Sequence, residues 1–421
     1  MKKIRVLWVV NELFPEVAEK LELEKTYVGG WVNGLAENIK NNEFIELHVA
    51  TAYPLKKVHQ FYTGKINFHV LPTKGNNKSY DKGLEEQWIK IIPKIRPDVI
   101  HIHGTEYAHG LALMNAYPKN KYVVSIQGLV SVCTRYYLAN LSFSTIFKNI
   151  SFRDIVRNDT IWQGKNNYEK RGVFELKYIE KTKNIMGRTD WDFAHIKNIN
   201  PLVNYYFCNE TLRESFYTKI KWDFNLIEQK SIFLSQSSYP IKGLHKMLEA
   251  LSIVKKHHPG VTLNIAGENI LQKNIIRRTG FANIINGLIK KYKLSQNVNF
   301  IGILNEEQMK EQYLKSHIFV CPSSIENSPN SLGEAQILGV PSIASYVGGN
   351  HNLVTHSIDG FLYRFESIEL LAQLILNLFN NSTLCENISK NAIKTAELRH
   401  NRQINVNRNY EIYQTIANAH N

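Results

Sequence analysis

Glu326 and Glu334 stand eight positions apart on either side of the loop Asn327-Ser328-Pro329-Asn330-Ser331-Leu332-Gly333, and the second of them opens an apolar run from Ala335 to Val340. Before them, Ile318 to Cys321 reads as a short buried strand that Pro322-Ser323-Ser324 breaks. Pro329 suits a first helical position, where a missing N–H costs nothing. The expected layout is therefore strand, loop, helix start, with a first turn from Asn330 to Gly333. Unbonded amides and the positive end of a helix dipole make such a start an anion site, so a phosphate would sit against Asn330 and Ser331. A carboxylate repels phosphate, so Glu326 and Glu334 are better suited to accept hydroxyls from a sugar or a ribose.

Other residues could do related chemistry. Lys242 follows a predicted strand, Ser231 to Leu234, at a helix start. A lysine there puts a point charge on a diphosphate while Gly243 lets the backbone come close; a solvated lysine is the alternative. Gly29 and Gly30 precede a helix opened by Trp31, and they either admit a sugar phosphate or form a plain turn. His101 and His103 share one face of a predicted strand, Val99 to His103; His101 reads as a core residue, and His103 lies at the carboxyl end, where ligands bind. Asp190 and Asp192 form an Asp-x-Asp pair after the strand Ile185 to Arg188. That position reads as a helix start with Thr189 and Asp190 as cap and first-turn charge, and helical side chains two apart diverge, so no metal site is expected. Arg188 is a candidate to face the cleft.

These residues need elements to hold them. The 421 residues exceed a single core, so two domains are expected. Strands and helices alternate: Ile4 to Val10, a helix after Gly30, Ile45 to Ala50, Ile66 to Leu71, a helix around Leu84 to Ile95, Val99 to His103 and Tyr122 to Ile126. A second series runs from Ser231, with a helix from Leu244 to His257 and strands at Thr262 to Ala266, Val298 to Ile301, Ile318 to Val320 and Ser342 to Ala344. Such alternation gives parallel sheets covered on both faces, with ligands at the carboxyl ends of the strands. Glu214 to Gln229 reads as the connection between domains. No apolar run reaches bilayer length, and Met1-Lys2-Lys3 leads into a first strand, not a signal peptide. The cysteines, Cys133, Cys208, Cys321 and Cys385, have no metal-ligand spacing and read as cytosolic thiols.

A formal net charge of +14 calls for an anionic partner. No helix-turn-helix, zinc-finger or RNA-recognition signature is present, and the basic residues are spread, so nucleic acid is not expected. An anionic membrane surface is a candidate. Tyr136, Tyr137, Phe143, Phe147 and Phe152 are interleaved with Arg135, Lys148, Arg153 and Arg157, which suits a membrane interface through the first domain, or helices that close that domain's core.

The glutamate pair resembles the signature of glycosyltransferase family 4, retaining enzymes of the GT-B fold. Further segments follow in the family's order: Tyr27-Val28-Gly29-Gly30-Trp31, Asp98-Val99-Ile100-His101-Ile102-His103-Gly104, Tyr239-Pro240-Ile241-Lys242-Gly243-Leu244, Phe300-Ile301-Gly302, and Val340-Pro341 followed by Gly348-Gly349. The resemblance implies an α/β GT-B chain of two doubly wound, Rossmann-like domains facing across a cleft. An acceptor-side domain would cover 1–212 and a nucleotide-sugar domain 213–401, with the last helix, about 402–421, crossing back to the first. It implies a nucleotide sugar as donor substrate, no cofactor, and a glycan or lipid-linked acceptor in bacterial capsule, exopolysaccharide or O-antigen assembly. The place would be the cytoplasm, at the inner face of the membrane. By the same resemblance Glu326, Gln127 and His103 carry the chemistry. Gly29, Gly30, Gln236, Lys242, Gly302, Ser328, Asn330, Ser331, Leu332 and Glu334 would hold the donor. Two positions depart from the family: Gln236 stands where a basic residue is usual, and Gln127 where a cleft histidine is usual, so neither can neutralise charge or move a proton. A sugar-nucleotide epimerase of the same fold and a non-catalytic sugar-nucleotide sensor are the alternatives.

Overall fold

The structure is a computed structural model that describes residues 3–24, 30–74, 80–272, 274 and 277–419. The chain divides into two compact units, one of Met1–Val132, Glu169–Arg213 and His400–Asn421, the other of Cys133–Tyr168 and Glu214–Arg399.

The first unit holds β1 (Ile4–Val10), β2 (Ile45–Tyr53), β3 (His59–Thr63), β4 (Ile66–Pro72), β5 (Val99–His103), β6 (Tyr122–Ser125), β7 (Asn184–Gly187) and β8 (Asn204–Phe207). They lie in the order β3-β4-β2-β1-β5-β6-β7-β8. Every neighbouring pair is parallel except β3 with β4. Side chains alternate along β1, so Leu7 and Val9 enter one core with Trp88, Ile91 and Ile102, while Val6, Trp8 and Val10 enter another with Leu35, Ile39 and Tyr413. Both faces are covered, which is why these strands read as continuous apolar runs. The helix Arg402–Asn418 supplies Tyr413, whose hydroxyl accepts from Trp8 Nε1 at 3.0 Å. The strand order reverses between β1 and β5, so the loops leaving their carboxyl ends diverge and open a crevice.

The second unit holds β9 (Glu228–Leu234), β10 (Thr262–Ala266), β11 (Val298–Gly302), β12 (Ser316–Cys321), β13 (Ser342–Ser345) and β14 (Phe361–Tyr363) in the order β11-β10-β9-β12-β13-β14. All pairs are parallel, and the order reverses between β9 and β12.

Two sequence expectations change. Residues 133–168, expected in the first domain, group with the second unit. The reason is a set of long-range bonds: His245 Nε2 meets Ala139 O at 2.8 Å, Ser324 Oγ donates to Tyr136 O at 3.0 Å, and Gly280 N donates to Asp154 Oδ2 at 2.6 Å. Asp154 is buried as the partner of Ser151 in a capping box and also caps the helix that starts at Gly280. Residues from Glu214 onward are packed into the second unit and do not form a free connection; the Trp222 amide donates to Leu338 O and its indole to Ser316 O, both at 2.8 Å. The polar edge strand β3 and the three-residue β14 carry too little apolar pattern to be seen in the sequence.

Candidate functional site

In the second unit the loops after β9 and β12 lie against each other. Gly243 takes φ +71°, and a Cβ there would stand 1.8 Å from Pro322 O, so only glycine allows this approach. Ser324 N donates to Ile241 O at 2.7 Å across the same junction. As a result Lys242 Nζ reaches Glu326 Oε1 at 2.7 Å, and Ser323 Oγ donates to the same oxygen at 2.7 Å. Burial works against the ammonium, but the Glu326 charge, with smaller help from Tyr239 and the hydrogen bond itself, offsets this and raises the Lys242 pKa above its ordinary value. The backbone of Glu326 is fixed as well: Gly349 N donates to its carbonyl at 3.1 Å, and Gly348, at φ +50°, could carry no Cβ beside that oxygen.

Beside this pair the helix Asn330–Leu338 begins. Pro329, expected as its first residue, is the cap instead, with φ −70° and an extended ψ of 116°. Its carbonyl takes the amides of Leu332 at 3.0 Å and Gly333 at 3.4 Å, so the amides of Asn330 and Ser331 are the ones left without an intrahelical acceptor. Tyr313 Oη holds the turn by donating to Ser331 O at 2.9 Å. Glu334 is 4% exposed and shares a helix face with Asn330, four positions before it. Ser328 is partly buried in the preceding loop. Leu332 is a core side chain whose amide is already used, which makes it a packing residue. Gln236 is exposed in the loop after β9, and Gly302 closes β11 at φ +83°, its carbonyl accepting from Gly267 N at 2.8 Å. Neither is hydrogen-bonded to the Lys242–Glu326 pair.

In the first unit the corresponding strand ends carry His103 and Gln127. His101 is a satisfied core histidine: Nδ1 meets Tyr413 Oη at 2.6 Å and Nε2 bonds Ser125 Oγ. His103 is 3% exposed and neither ring nitrogen has a hydrogen-bond partner among the described residues. Its ring packs between Trp8, His101 and Trp31, with centroids 4.4, 3.7 and 5.7 Å away. Burial, reinforced by His101, His109 and Arg188, holds its pKa well below the usual value, so it is a neutral imidazole with unused nitrogens. Gln127 Nε2 donates to Glu210 Oε1 at 2.9 Å, and Arg188 meets the same oxygen at 2.5 Å while donating to Ile126 O at 2.8 Å. Both charged side chains are nearly buried. A cavity of about 20 Å³, room for about one water, is lined by Trp31, His103, Arg188, Asn209 and Glu210. Gly30 is the first residue of the helix Gly30–Ile39, where a Cβ would stand 2.9 Å from Arg213 Cδ. Gly29 lies outside the described residues.

Asp192 serves the fold, and Asp190 lies in the first turn of the same helix. Thr189 Oγ1 accepts from Asp192 N at 3.1 Å as the helix cap, and the Asp192 carboxylate accepts from Arg188 N at 3.1 Å and from Tyr205 Oη. No group of three His, Cys, Asp or Glu side chains suited to a metal occurs among the described residues.

Sequence reasoning missed Glu210 and Glu106. Glu210 follows β8 by three residues and acts only through partners far away in the chain. Glu106 had one available signal: it is a carboxylate three residues past His103, at a strand end already singled out.

Residues 217–395 match the family described as Glycosyl transferases group 1. The capsular polysaccharide biosynthesis glycosyltransferase CapM of Staphylococcus aureus is 26% identical over 197 residues, 45% of this chain and 49% of that protein. The match thus spans about half of that relative's own length. Among solved structures, sucrose-phosphate synthase from Thermosynechococcus elongatus superposes with a TM-score of 0.72 at 15% identity, covering 98% of this chain and 99% of that one. Anabaena HepE, solved in complex with UDP-glucose, gives 0.64 at 14% identity, covering 99% and 100%. The fold is GT-B, with two Rossmann-like domains.

Proposed function

We propose that this protein is a retaining glycosyltransferase of family 4 type, moving a sugar from a nucleoside diphosphate sugar to a glycan or lipid-linked acceptor in bacterial surface polysaccharide assembly. The observation that carries this reading is the Lys242–Glu326 pair at the β9/β12 reversal, beside the unbonded amides of Asn330 and Ser331. An ammonium has three N–H donors; one serves Glu326, and the others are available to a diphosphate that the helix start also attracts. Glu334, on the next turn of the same helix face, accepts ribose hydroxyls. Transfer forms the bond from the acceptor oxygen to the anomeric carbon and breaks the bond from that carbon to the diphosphate. The acceptor proton passes to the departing phosphate oxygen, whose charge Lys242 and the helix amides stabilise.

HepE's complex with UDP-glucose and CapM's role in capsule synthesis make uridine-linked donors and a capsule-type product the first to try. A thermal-shift panel of nucleotide sugars, followed by an assay for released nucleoside diphosphate, tests the reading: the best-stabilising donor should be turned over in the presence of acceptor. Activity should persist in excess EDTA. Turnover abolished by chelation and restored by manganese or magnesium would contradict the proposed charge compensation.

The reading includes peripheral attachment at the inner membrane face, now through the second unit. Phe143, Phe147, Phe152, Ile155 and Val156 are 63% to 71% exposed, and Arg135, Lys148 and Arg157 are exposed around them. Arg153 is held by Asp154 and Asp159 and contributes less. An apolar patch rimmed by cations suits anionic lipid. Arg135→Glu, Lys148→Glu and Arg157→Glu together should release the protein from anionic vesicles in flotation; unchanged flotation would show that lipid is not the partner. No described helix is long and apolar enough to cross a membrane.

A further inference from the structure

We propose that Glu106 is the side chain that receives the acceptor hydroxyl, an inference that rests on the transferase reading above. Glu106 lies just beyond β5, one of the two strands between which the first unit's order reverses, so its loop borders that unit's ligand crevice. Gly104, at φ +85°, lets the carboxylate fold back over the strand end: a Cβ there would stand 2.5 Å from Glu106 Oε2 and 3.5 Å from Gln127 Cγ. Gly128 N, beyond the end of β6, donates to Glu106 Oε1 at 3.1 Å. The carboxylate is thus placed between the ends of β5 and β6, next to Gln127, and beyond the bonds from Gly128 N and its own backbone amide it keeps lone pairs for another donor.

The loop that carries it is held with unusual redundancy by one helix, Ile161–Lys181. Arg171 donates through Nε to Glu106 O at 2.7 Å and stacks its guanidinium on the Tyr107 ring at 4.5 Å. One turn on, the fully buried Glu175 accepts from Thr105 Oγ1 at 3.0 Å and from the amides of Val130 and Ser131, both at 2.9 Å, which ties the β5 and β6 loops together. At the next turn Tyr178 Oη accepts from Gly110 N at 2.7 Å and donates to Tyr107 O at 3.0 Å. Residues 171, 175 and 178 lie on one helix face, so a single rigid element fixes both loops. A carboxylate fixed in this way, partly buried and near Arg171 and Arg188, has the pre-organisation of a substrate-binding group. Burial also raises its pKa, partly offset by backbone hydrogen bonds and those two arginines.

The hydrogen bond from an acceptor O–H to the Glu106 carboxylate orients the attacking oxygen; the proton still leaves with the phosphate, so no bond to Glu106 forms or breaks. A carboxylate here selects neutral, hydroxyl-bearing sugars over phosphorylated ones at the reacting position.

The test measures transfer kinetics with UDP-glucose and UDP-N-acetylglucosamine as donors and octyl β-glycosides of glucose, galactose and N-acetylglucosamine as acceptors. Glu106→Gln keeps an oxygen for Gly128 N, so the fold should survive, as a thermal melt would show; Glu106→Asp keeps the charge but withdraws it by one methylene. Acceptor-dependent kcat/KM should fall at least about 30-fold in Glu106→Gln, roughly 2 kcal/mol, and by less in Glu106→Asp. Donor affinity and acceptor-free donor hydrolysis should be unchanged. Acceptor kinetics within about threefold of the parent, with the parent active, would overturn the role of Glu106. A parent that releases nucleoside diphosphate from neither these donors nor any nucleotide sugar of the thermal-shift panel would instead overturn the transferase reading beneath it.

Discussion

The two strand-order reversals of this chain each hold a cation–carboxylate pair but surround it with different chemistry. At β9/β12 a lysine and a glutamate form an ion pair next to a helix start, and the residues come from two loops and one helix. At β1/β5 the crevice is lined by neutral imidazoles and by carboxylates under burial, its Arg188 guanidinium is already tied to Glu210 and to Ile126 O, and its parts come from segments as distant as Gln127 and Glu210. The first arrangement suits a dianionic diphosphate, for which fixed positive charge is needed. The second suits polyhydroxyl ligands, for which neutral donors and placed acceptors are enough.

The largest expected effect that would sharpen this contrast is acid sensitivity. In the first unit burial lowers His69 to about 4, His101 to about 3 and His109 to about 4, and holds His103 well below its ordinary value. In the second unit it lowers His245 and His317 to about 4. The unfolded imidazoles protonate near their ordinary 6.5 and the folded ones near these lower values, so stability falls as pH drops through 6.5 and goes on falling to about 4. Each such histidine costs up to about 1.4 kcal/mol per pH unit in that window. Glu175, raised to about 7 by burial, works the other way, regaining stability as pH falls from 7 toward 4.5, but it is outnumbered. Hydrogen exchange at pH 5 should therefore show β5 and β6 losing protection before β9 and β12. Equal loss in both would break the contrast.

Next in size is Arg188→Met, which leaves the nearly buried Glu210 without its guanidinium. Removing one partner of such a pair costs about 3–5 kcal/mol. A urea melt should show this loss, while nucleotide affinity, assigned to the other unit, stays the same.

Smaller again is Glu334→Gln, in which a neutral amide replaces the carboxylate proposed to accept ribose hydroxyls. Donor affinity should drop by about 1–3 kcal/mol. Calorimetry with unchanged affinity would remove the ribose assignment and weaken the second unit's claim to the nucleotide.

The same contrast explains what the sequence could disclose. Glu326, Asn330, Ser331 and Glu334 lie within nine consecutive residues whose strand, loop and helix pattern is local, so their arrangement was legible. Even there, the bond from Lys242 to Glu326 was not, because it depends on the approach of Gly243 to Pro322 from a separate loop. The alternating strands were legible from apolar runs, and the thin edges β3 and β14 were not. In the first unit, Glu106 takes its significance from Gly128, Arg171 and Glu175, contacts 22 to 70 positions apart in the chain. The attachment of residues 133–168 to the second unit likewise rests on single bonds to His245, Ser324 and Gly280, which leave no periodic trace.

The role proposed for Lys242, paired with Glu326, is to hold the diphosphate of a nucleotide sugar. Titration calorimetry with UDP-glucose, and with the best donor from the thermal panel, on the parent and on Lys242→Met tests it most directly. The parent should bind, and the variant should lose at least about tenfold in affinity, near 1.4 kcal/mol. Equal affinity in the two proteins would contradict it.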